Sequence, residues 1–417
     1  NCCLVSMLTF YIYVSYIFHF FANIFLNIRV LKKKEDPIRF KEKLGCYEIK
    51  NNNPTIWFHA SSLGEIKSVE ALISYFSKNK NYKILITTVT LSSSEYCRKI
   101  FRNTENITHQ FAPLDTPIIV KKFLHHWKPQ VSIFVESEIW PNLILQTKKI
   151  SKLILLNARL SDRSFSRWKL AKKIAKKLLE QFDSITAQSK EVKSFVEFFG
   201  IQNVNFFGNL KFVAPDNISN VSSFVFERVV ENSWVAMSIH KGEETFIIET
   251  VKKIKREQIK SQCVLIPRHL NKIKELTDII KTNNLTYQLK SKEALPLVNK
   301  DFYIVDSFGD AGEIFKKINL VFLGGSIIPH GGQNPLEPAR EGCYLFHGPN
   351  IYNFTEIFEF LTKNNASRLV TSEITLSQEL ISNFKNLKNN DKLKTVMKEY
   401  SQKILLDHIN YLNSFVK

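Results

Sequence analysis

Acidic and basic side chains follow several apolar segments of this sequence, at points where they could carry out acid–base chemistry. The candidates are Glu65 in HASSLGE, Glu136 and Glu138 in VESEIWPN, and Lys211 in GNLKF. A carboxylate placed where a strand gives way to a helix could serve as a general base at the edge of a sheet. Taken alone, however, Glu65 is more typical of an ordinary first-turn acid that the helix dipole stabilises.

Glu136 and Glu138 are expected to share one face of a strand, because side chains alternate along a strand with a period of two. Two carboxylates at a buried strand end need cationic partners. Arg159, Arg163 and Lys211 are available in the segments that follow. A salt-bridge network that only stabilises the fold is the alternative to a catalytic role.

A second candidate site is a glycine-rich segment further along the chain. Eight of the 13 glycines lie between Gly309 and Gly348. Within this window, FLGGSIIPHGGQNPLEPAREG runs from a predicted strand through a loop into a predicted helix. That arrangement can aim backbone N–H groups at an anion. The sequence therefore favours a phosphate site here over tight turns alone.

Polar residues at the end of this loop have both a structural and a functional interpretation. Asn334, Pro335 and Glu337 match an N-cap, a first helical residue and a capping-box carboxylate. Glu337 could equally accept hydrogen bonds from ribose hydroxyls. Arg268 and His269, which follow another predicted strand, add two side chains that can bind phosphate.

Alternating strands and helices must position these residues. The first series of strand candidates is TIWFHA, YKILITTVT, VSIFVE, LILLNA, SITAQS and VNFFGN, and the second is WVAMS, CVLIPR, FYIVDS, INLVFLGG and CYLFHG. We therefore predict an α/β fold with two Rossmann-like domains that face a cleft, in which a ligand binds beside the carboxyl ends of the strands. The sequence contains no Gly-x-Gly-x-x-Gly or P-loop motif, which excludes the common dinucleotide and ATP sites.

The predicted organisation has four parts. They are a membrane anchor with a basic flank (1–34), an N-terminal Rossmann-like domain (35–212), a linker (213–230) and a C-terminal Rossmann-like domain (231–417). A length of 417 residues is sufficient for two such domains. The linker is predicted where strand and helix periodicity gives way to Pro, Asp, Asn and Ser.

The charge of the chain predicts an anionic partner. Lys and Arg number 58 against 39 Asp and Glu, a net charge of +19, which suits nucleic acid, anionic lipid or a phosphorylated substrate. Residues 148–177 hold eleven basic residues and one acid, a pattern typical of a solvated helix face or of a surface for anionic headgroups. The six cysteines show no CxxC pair or zinc spacing, so we predict a reducing compartment, no disulfide scaffold and no structural metal.

The N-terminal segment is expected to attach the protein to a membrane. Residues 7–26 form twenty uncharged positions, long enough to cross a bilayer. Four polar residues recur at every fourth position and would line one helical face, namely Ser15, His19, Asn23 and Asn27. An in-plane helix is therefore the alternative, but a span is favoured because this face lacks Lys and Arg. The basic residues at 29–34 place the rest of the chain in the cytoplasm.

Taken together and in order, the segments between about residues 35 and 360 resemble the 3-deoxy-D-manno-octulosonic acid (Kdo) transferases. The matching segments are WFHASSLGE, ITTVTLSSSE, FAPLDTP, ESEIWPN, LNARLSDRS, FGNLKF, SIHKGEE, PRH, LGGS, GGQNPLEPA and HGPNIYNF. The resemblance implies a glycosyltransferase of the GT-B type at the inner membrane, with the acceptor bound mainly by the N-terminal domain (35–212) and the nucleotide sugar mainly by the C-terminal domain (231–417). It also implies transfer of Kdo from CMP-Kdo to the lipid A precursor, lipid IVA, in lipopolysaccharide core synthesis.

The resemblance also implies roles for individual residues. Glu65 is expected to take the proton from the acceptor hydroxyl, and Glu136 or Glu138 together with Lys211 to stabilise the transition state. The CMP site implied by the resemblance consists of Arg268, His269, Phe308, Gly309, Asp310, Asn334, Pro335, Leu336 and Glu337. No cluster of acids resembles a metal site, so we predict metal independence and no cofactor, with CMP-Kdo as the donor substrate.

Two alternative functions are kept beside this one. Another GT-B enzyme, such as one that uses a UDP-sugar, or a sugar-nucleotide epimerase would share the fold. A membrane-anchored nucleic-acid-binding protein would share the net charge of +19. The clustering of Gly, Pro and His around one loop favours a small-molecule site, so we expect no nucleic-acid partner.

Overall fold

The computed structural model describes most of the chain in two compact units. The described residues are 2–48, 54–213, 226, 229–307, 309–384 and 391–416, with only the backbone described for 2–6. The first unit comprises residues 1–216 and 401–417, and the second comprises residues 217–400. The units differ from the predicted domains at the C-terminus, where residues 401–417 group with the first unit. The predicted linker (213–230) lies almost entirely outside the described residues.

The first unit alternates strands and helices along the chain. Its helices are α1 (Cys2–Leu31), α2 (Leu63–Ser77), α3 (Leu91–Ile100), α4 (Pro117–Trp127), α5 (Pro141–Thr147), α6 (Asp162–Leu170), α7 (Lys172–Leu179) and α8 (Lys190–Phe198). Its strands are β1 (Ile56–His59), β2 (Ile84–Thr88), β3 (Ile107–Phe111), β4 (Val131–Val135), β5 (Lys152–Ala158), β6 (Ser184–Ala187) and β7 (Val204–Asn205). Short 3₁₀ turns occupy Arg39–Leu44 and Leu210–Phe212.

The seven strands of the first unit form one parallel sheet in the order β3-β2-β1-β4-β5-β6-β7. Every residue of β1, β2 and β4 is buried, as expected for central strands that helices cover on both faces. Hydroxyl side chains cap five of the helices by accepting a backbone N–H three residues later. These caps are Ser62, Thr90, Thr116, Ser161 and Ser189.

The second unit repeats this pattern. Its strands are β8 (Ser233–Ile239), β9 (Gln262–Pro267), β10 (Tyr287–Leu289), β11 (Phe302–Ile304), β12 (Leu320–Leu323), β13 (Tyr344–His347) and β14 (Ser367–Leu369). Its helices are α9 (Glu244–Arg256), α10 (Ile273–Thr282), α11 (Ala311–Phe315), α12 (Leu336–Arg340), α13 (Thr355–Lys363) and α14 (Glu373–Phe384). A final helix, α15 (Asp391–Asn413), begins in the second unit and ends in the first.

The second sheet is also parallel and has the order β10-β11-β9-β8-β12-β13-β14. The plan matches the first sheet, with β8 in the place of β1 and β12 in the place of β4, except that β10 is an additional edge strand and that β7 has no counterpart among the described strands. Each sheet has its own apolar core, built around Trp57 and Phe134 in the first and Trp234 and Phe322 in the second. The predicted pair of Rossmann-like domains is therefore confirmed.

The C-terminal segment packs against the edge of the first sheet. The Tyr411 hydroxyl forms a short hydrogen bond with the hydroxyl of Ser184 on β6 and accepts one from the Asn205 amide on β7 at 2.8 Å. The ring of Tyr411 also contacts that of Phe207. Residues 401–416 thus complete the packing of the first unit.

Candidate active site

The candidate catalytic residues of the first unit lie beyond the carboxyl ends of its strands. The chain runs from β1 outward to β3 and then returns to β4 on the other side of β1. Ligands of open parallel sheets bind at such a reversal of strand order. Glu65 follows β1, Glu136 and Glu138 follow β4, and Lys211 follows β7. All four predicted residues therefore lie on the side of the sheet where the strands have their carboxyl ends.

Glu65 occupies the first turn of α2, where it is partly buried. Its carboxylate accepts hydrogen bonds from the Ser61 backbone N–H at 2.6 Å and from the Ser62 hydroxyl at 3.0 Å. Burial, followed by the negative charges of Glu138 and Glu136, raises the pKa of Glu65 to about 7. A carboxyl with this pKa is suited to exchange a proton near neutral pH, which an ordinary first-turn acid is not.

Glu136 has a different environment from the one that the sequence predicted. Strand β4 ends at Val135, and Glu136 adopts a left-handed backbone with φ of 58°. The prediction that Glu136 and Glu138 share a strand face is therefore wrong, because neither residue belongs to the strand. The Glu136 carboxylate is buried, 3.0 Å from Lys211 Nζ and 3.9 Å from Arg159 Nη1.

Asn157 explains how Lys211 reaches this position. Asn157 also has a left-handed backbone, with φ of 54°, near the end of β5. Its side-chain oxygen accepts the backbone N–H of Leu210 at 3.1 Å, and Asn209 accepts that of Lys211 at 3.0 Å. These bonds fix the 3₁₀ turn that carries Lys211. Backbone strain of this kind is often concentrated at functional sites.

Glu138 is held by other residues. Its Oε2 lies 3.1 Å from His59 Nε2 and accepts a hydrogen bond from Trp140 Nε1 at 2.7 Å. Burial alone would raise the pKa of Glu138, but its interactions with His59 and Trp140 outweigh burial and lower it. The pKa values of Glu65 and Glu138 are therefore shifted in opposite directions, which is the usual mark of a pair with distinct acid–base roles.

His59 is a residue that the sequence analysis did not assign to the site. It ends β1, is buried, and lies 2.9 Å from the Thr87 hydroxyl through Nδ1 while Nε2 faces Glu138. Its place at the start of HASSLGE was visible in the sequence. Its contact with Glu138, which follows β4, depends on the strand order and was not visible in the sequence.

The glycine-rich loop of the second unit surrounds a buried carboxylate. Glu243, which directly precedes α9, is fully buried. It accepts four backbone N–H groups, those of His240, Gly325, Ser326 and Ile327, at 3.1, 2.6, 3.1 and 3.0 Å respectively. Three of the loop N–H groups therefore bind an internal anion. For these three N–H groups, the prediction that the loop aims them at a phosphate is therefore wrong.

Glu243 was the principal omission of the sequence analysis. The signal was present, because the Glu of SIHKGEE follows β8 as the Glu of HASSLGE follows β1. Gly324 shows how closely the loop approaches Ser238 of β8 and Glu243. A Cβ at this position would lie 2.5 Å from the Ser238 carbonyl oxygen and 2.9 Å from Glu243 Oε2. Only glycine permits that approach.

Three histidines gather beside this loop. The His240 ring lies 4.1 Å from that of His330 and 5.9 Å from that of His269, and its Nε2 is 2.8 Å from the Gln333 amide nitrogen. Burial, followed by the nearby charges of His330, Arg268 and His269, lowers the pKa of His240 to about 4. His240 is thus neutral at pH 7 and accepts a hydrogen bond from Gln333. Arg268 and His269 are both exposed beside it.

Asp310 does not present a free carboxylate. It forms an ion pair with Lys290 at 2.7 Å and a short hydrogen bond with the Ser307 hydroxyl. The preceding Gly309 adopts a left-handed backbone with φ of 93°. Phe308, the other residue predicted for this turn, lies outside the described residues.

The helix of the NPLE segment begins one residue later than its capping pattern predicted. Helix α12 begins at Leu336 and its cap residue is Pro335, instead of Asn334. The Asn334 side chain still serves the helix start, because its oxygen accepts the Leu336 N–H at 3.1 Å. Asn334 and Glu337 are exposed, whereas Pro335 and Leu336 are buried.

Solved structures with similar architecture define the fold of this chain. A glycosyltransferase from Rickettsia africae aligns with 88% of this chain and 99% of its own, with a TM-score of 0.58 and 14% identity. A UDP-GlcNAc 2-epimerase from Methanocaldococcus jannaschii aligns with 80% of this chain and 94% of its own, with a TM-score of 0.56 and 16% identity. The chain therefore has the GT-B glycosyltransferase fold.

Sequence relatives identify the family within this class. The family model for 3-deoxy-D-manno-octulosonic-acid transferase (kdotransferase) matches residues 38–214. The 3-deoxy-D-manno-octulosonic acid transferase of Rickettsia bellii is 31% identical over 98% of this chain and 100% of its own length. That of Haemophilus influenzae is 28% identical over 81% of this chain and 81% of its own length. The chain belongs to the Kdo transferase family.

Proposed function

We propose that this protein is an inverting glycosyltransferase that moves Kdo from CMP-Kdo to the lipid A precursor, lipid IVA, in lipopolysaccharide core synthesis. Membership of the Kdo transferase family supports the sugar that is transferred. The observation that carries the proposal is Glu65, a partly buried carboxyl at the reversal of strand order, with its pKa raised to about 7.

In the proposed reaction, Glu65 removes the proton from the acceptor hydroxyl. The hydroxyl oxygen forms a bond to the anomeric carbon of Kdo while the bond from that carbon to the phosphate oxygen of CMP breaks. The phosphate leaves with the electron pair, and the configuration at the anomeric carbon inverts. General-base assistance of this kind contributes roughly 10²- to 10⁴-fold to a rate.

The Glu136–Lys211 pair is proposed to stabilise the charges that develop in the transition state. Of the two carboxylates that were candidates for this role, Glu136 is the one that lies beside Lys211. Preorganised charges of this kind act without reorganisation when the reaction occurs. Glu138 is assigned a different role, which is to keep the pKa of Glu65 high by its negative charge.

The cytidylate group is proposed to bind the second unit near the glycine-rich loop. Arg268 and His269 are exposed there and could contact the phosphate. Asn334 and Glu337 are exposed at the start of α12 and offer polar atoms to the ribose. The ion pair of Asp310 with Lys290 makes Asp310 a support for its loop in this proposal.

We also propose that the protein acts at the cytoplasmic face of the inner membrane and binds an anionic lipid surface. In the described part of the chain, one helical segment, Met7–Leu31 of α1, is long and apolar enough to cross a membrane. We propose that no metal ion or cofactor takes part. Turnover that is unchanged in excess EDTA is expected, and a loss restored by a divalent cation would contradict this.

The test is one incubation of the protein with CMP-Kdo and tetra-acylated lipid A precursor, followed by mass analysis of the lipid. The expected product carries at least one Kdo. Protection of the protein by CMP but not by UDP in a thermal-shift assay would exclude the UDP-sugar and epimerase alternatives. Tight binding to DNA or RNA that weakens steeply with salt, without Kdo transfer, would instead support the nucleic-acid alternative.

A further inference from the structure

Helix α1 has two faces with different surroundings. One face, which we call the docked face, packs against α4, α5 and α7 of the first unit. Its members are Leu8, Tyr11, Ser15, His19, Ala22 and Leu26, which recur every three or four residues. The opposite face is exposed. We call it the open face, and it consists of Phe10, Tyr13, Ile17, Phe20 and Ile24.

The polar residues of the docked face are bound by the first unit. The Tyr11 hydroxyl donates to Asp115 at 2.8 Å, and the Asn142 amide donates to the Ser15 hydroxyl at 3.0 Å. Asp115 also accepts the backbone N–H of Leu143 at 2.7 Å, which ties it to the start of α5. Ser15 is buried by this contact. The docked face is therefore built for protein contact.

The length of the docked face conflicts with a helix that crosses the bilayer. From Leu8 to Leu26 it extends about 27 Å, at 1.5 Å per residue. The hydrocarbon core of a bilayer is about 30 Å thick. A spanning α1 that kept these contacts would draw Asp115 and its surroundings into hydrocarbon, where charged groups are costly. A spanning α1 that lost them would leave Asp115 and Asn142 without these partners.

We propose that α1 stays docked on the first unit and lies in the plane of the membrane, with its open face inserted into one leaflet of an anionic bilayer. This inference specifies the membrane attachment in the proposed function. It favours the in-plane alternative over the span that the sequence predicted. The helix then positions the first unit against the lipid surface directly instead of tethering it.

Charges near α1 match an anionic leaflet. Lys32, Lys33 and Lys34 are exposed directly after the helix. Helix α7 packs beside α1 and exposes Lys172 and Lys177. These lysines supply, outside α1 itself, the basic charge that accompanies helices bound in the interface of anionic membranes.

Spin-label depth measurements distinguish the two orientations. In a variant whose six cysteines are replaced by serine, single cysteines are introduced by Phe10→Cys, Ile17→Cys and Ile24→Cys and labelled. The protein is then bound to phosphatidylethanolamine–phosphatidylglycerol vesicles. An in-plane helix gives three depths within about 5 Å of one another, because such helices sink only about 5–10 Å. A depth that changes steadily by about 21 Å from Phe10 to Ile24 is expected of a span and would overturn the proposal.

A label introduced by Glu95→Cys on the exposed side of α3 serves as the matched control and should show no lipid contact. Labels on α1 that likewise show no lipid contact would also overturn the proposal. Binding to vesicles of phosphatidylcholine alone should be about tenfold weaker or more, because the lysines then lose their anionic partners. Equal binding would contradict the anionic component.

Cross-linking tests the docking itself. Ser15→Cys and Asn142→Cys, joined by a short bifunctional thiol reagent, fix α1 to the first unit. The cross-linked protein should bind the same vesicles within about twofold of the untreated variant. Loss of vesicle binding would show that α1 must undock. These measurements use no CMP-Kdo, so their failure is distinct from a failure of the proposed Kdo transfer.

Discussion

Glu65 and Glu243 occupy matching places in the two sheets but have opposite surroundings. Each follows the strand at which the sheet order reverses, β1 or β8, and each stands at the start of the next helix. The segment after β4 brings Glu136 and Glu138 toward Glu65. The segment after β12 brings three backbone N–H groups to Glu243.

This difference shows how one position can serve chemistry in one unit and stability in the other. Glu243 has four donors and no exposure, so its charge is fully compensated within the protein. At Glu65, burial and the two nearby acids outweigh the two donors, so a proton on it is favoured up to about pH 7. The residues that distinguish the two sites come from the segments that follow β4 and β12, which occupy matching places in the two sheets.

Glu65→Gln is expected to have the largest effect. Transfer should fall about 10³-fold because the base is lost, while binding of CMP stays within twofold. The pKa of Glu65 is raised from 4.5 to about 7 in the folded protein. Between these values the unfolded chain loses the proton more readily than the folded protein does, so the wild type becomes less stable as pH rises from 4.5 to 7. The variant should therefore gain in Tm relative to wild type between pH 4.5 and 7. Near-normal transfer would remove Glu65 from its role.

Glu243→Gln should act on stability instead. Its amide group cannot accept the N–H bonds that one carboxylate oxygen now accepts, so buried donors lose their partners. The expected loss is about 3 kcal/mol in the free energy of unfolding, measured by denaturant titration. Glu244→Gln, one residue later, is the control and should cost about 0.5 kcal/mol or less. A variant as stable as wild type would mean that the four bonds contribute little.

Lys211→Met should reduce kcat/KM about 100-fold, because a charge near the reacting centre is lost. It should also lower the free energy of unfolding by about 3 kcal/mol, because the buried Glu136 carboxylate loses its partner. Glu136→Gln should have a similar effect. The double variant should be little worse than either single variant, since the two residues act as a pair. Lys193→Met removes a surface pair with Glu197 and should leave kcat/KM unchanged. Independent, multiplicative losses would argue against a functional pair.

Glu138→Gln is expected to shift a pH profile more than a rate. The negative charge of Glu138 is second only to burial among the causes that raise the pKa of Glu65. Without that charge, the acid limb of kcat/KM should move from about pH 7 to lower pH, so the variant loses less activity on acidification. Glu95→Gln on the exposed side of α3 should not move the limb. A limb that stays at pH 7 would show that Glu138 does not act on Glu65.

The central strands of both sheets could be predicted from the sequence, but several edge strands could not. Strands β1, β2 and β4 are continuous apolar segments because both of their faces are buried. Strand β3 lies at an edge, and its sequence ITHQF is only partly buried. Strands β10 and β14 are edge strands of three residues each. These three strands carry too little apolar pattern to be detected.

The same limit applies to the site. Motif order placed Glu65, Glu136 and Lys211 correctly at one sheet edge, because helices and strands alternate so regularly. The sequence does not show at which residue β4 ends, and the prediction that Glu136 and Glu138 share a strand face was therefore wrong. The role of Glu243 depends on contacts with residues about 80 positions later in the chain. Local spacing contains no information about such partners.

The packing of Tyr411 on β6 and β7 has a consequence for biosynthesis. The first unit is encoded in two separate stretches, 1–216 and 401–417. A growing chain exposes the surface around Ser184 and Asn205 until the final helix has left the ribosome. The N-terminal unit is therefore finished last, after the residues of the second unit have been synthesised. Its assembly can be completed only once Tyr411 has emerged, even though most of its sequence emerges much earlier.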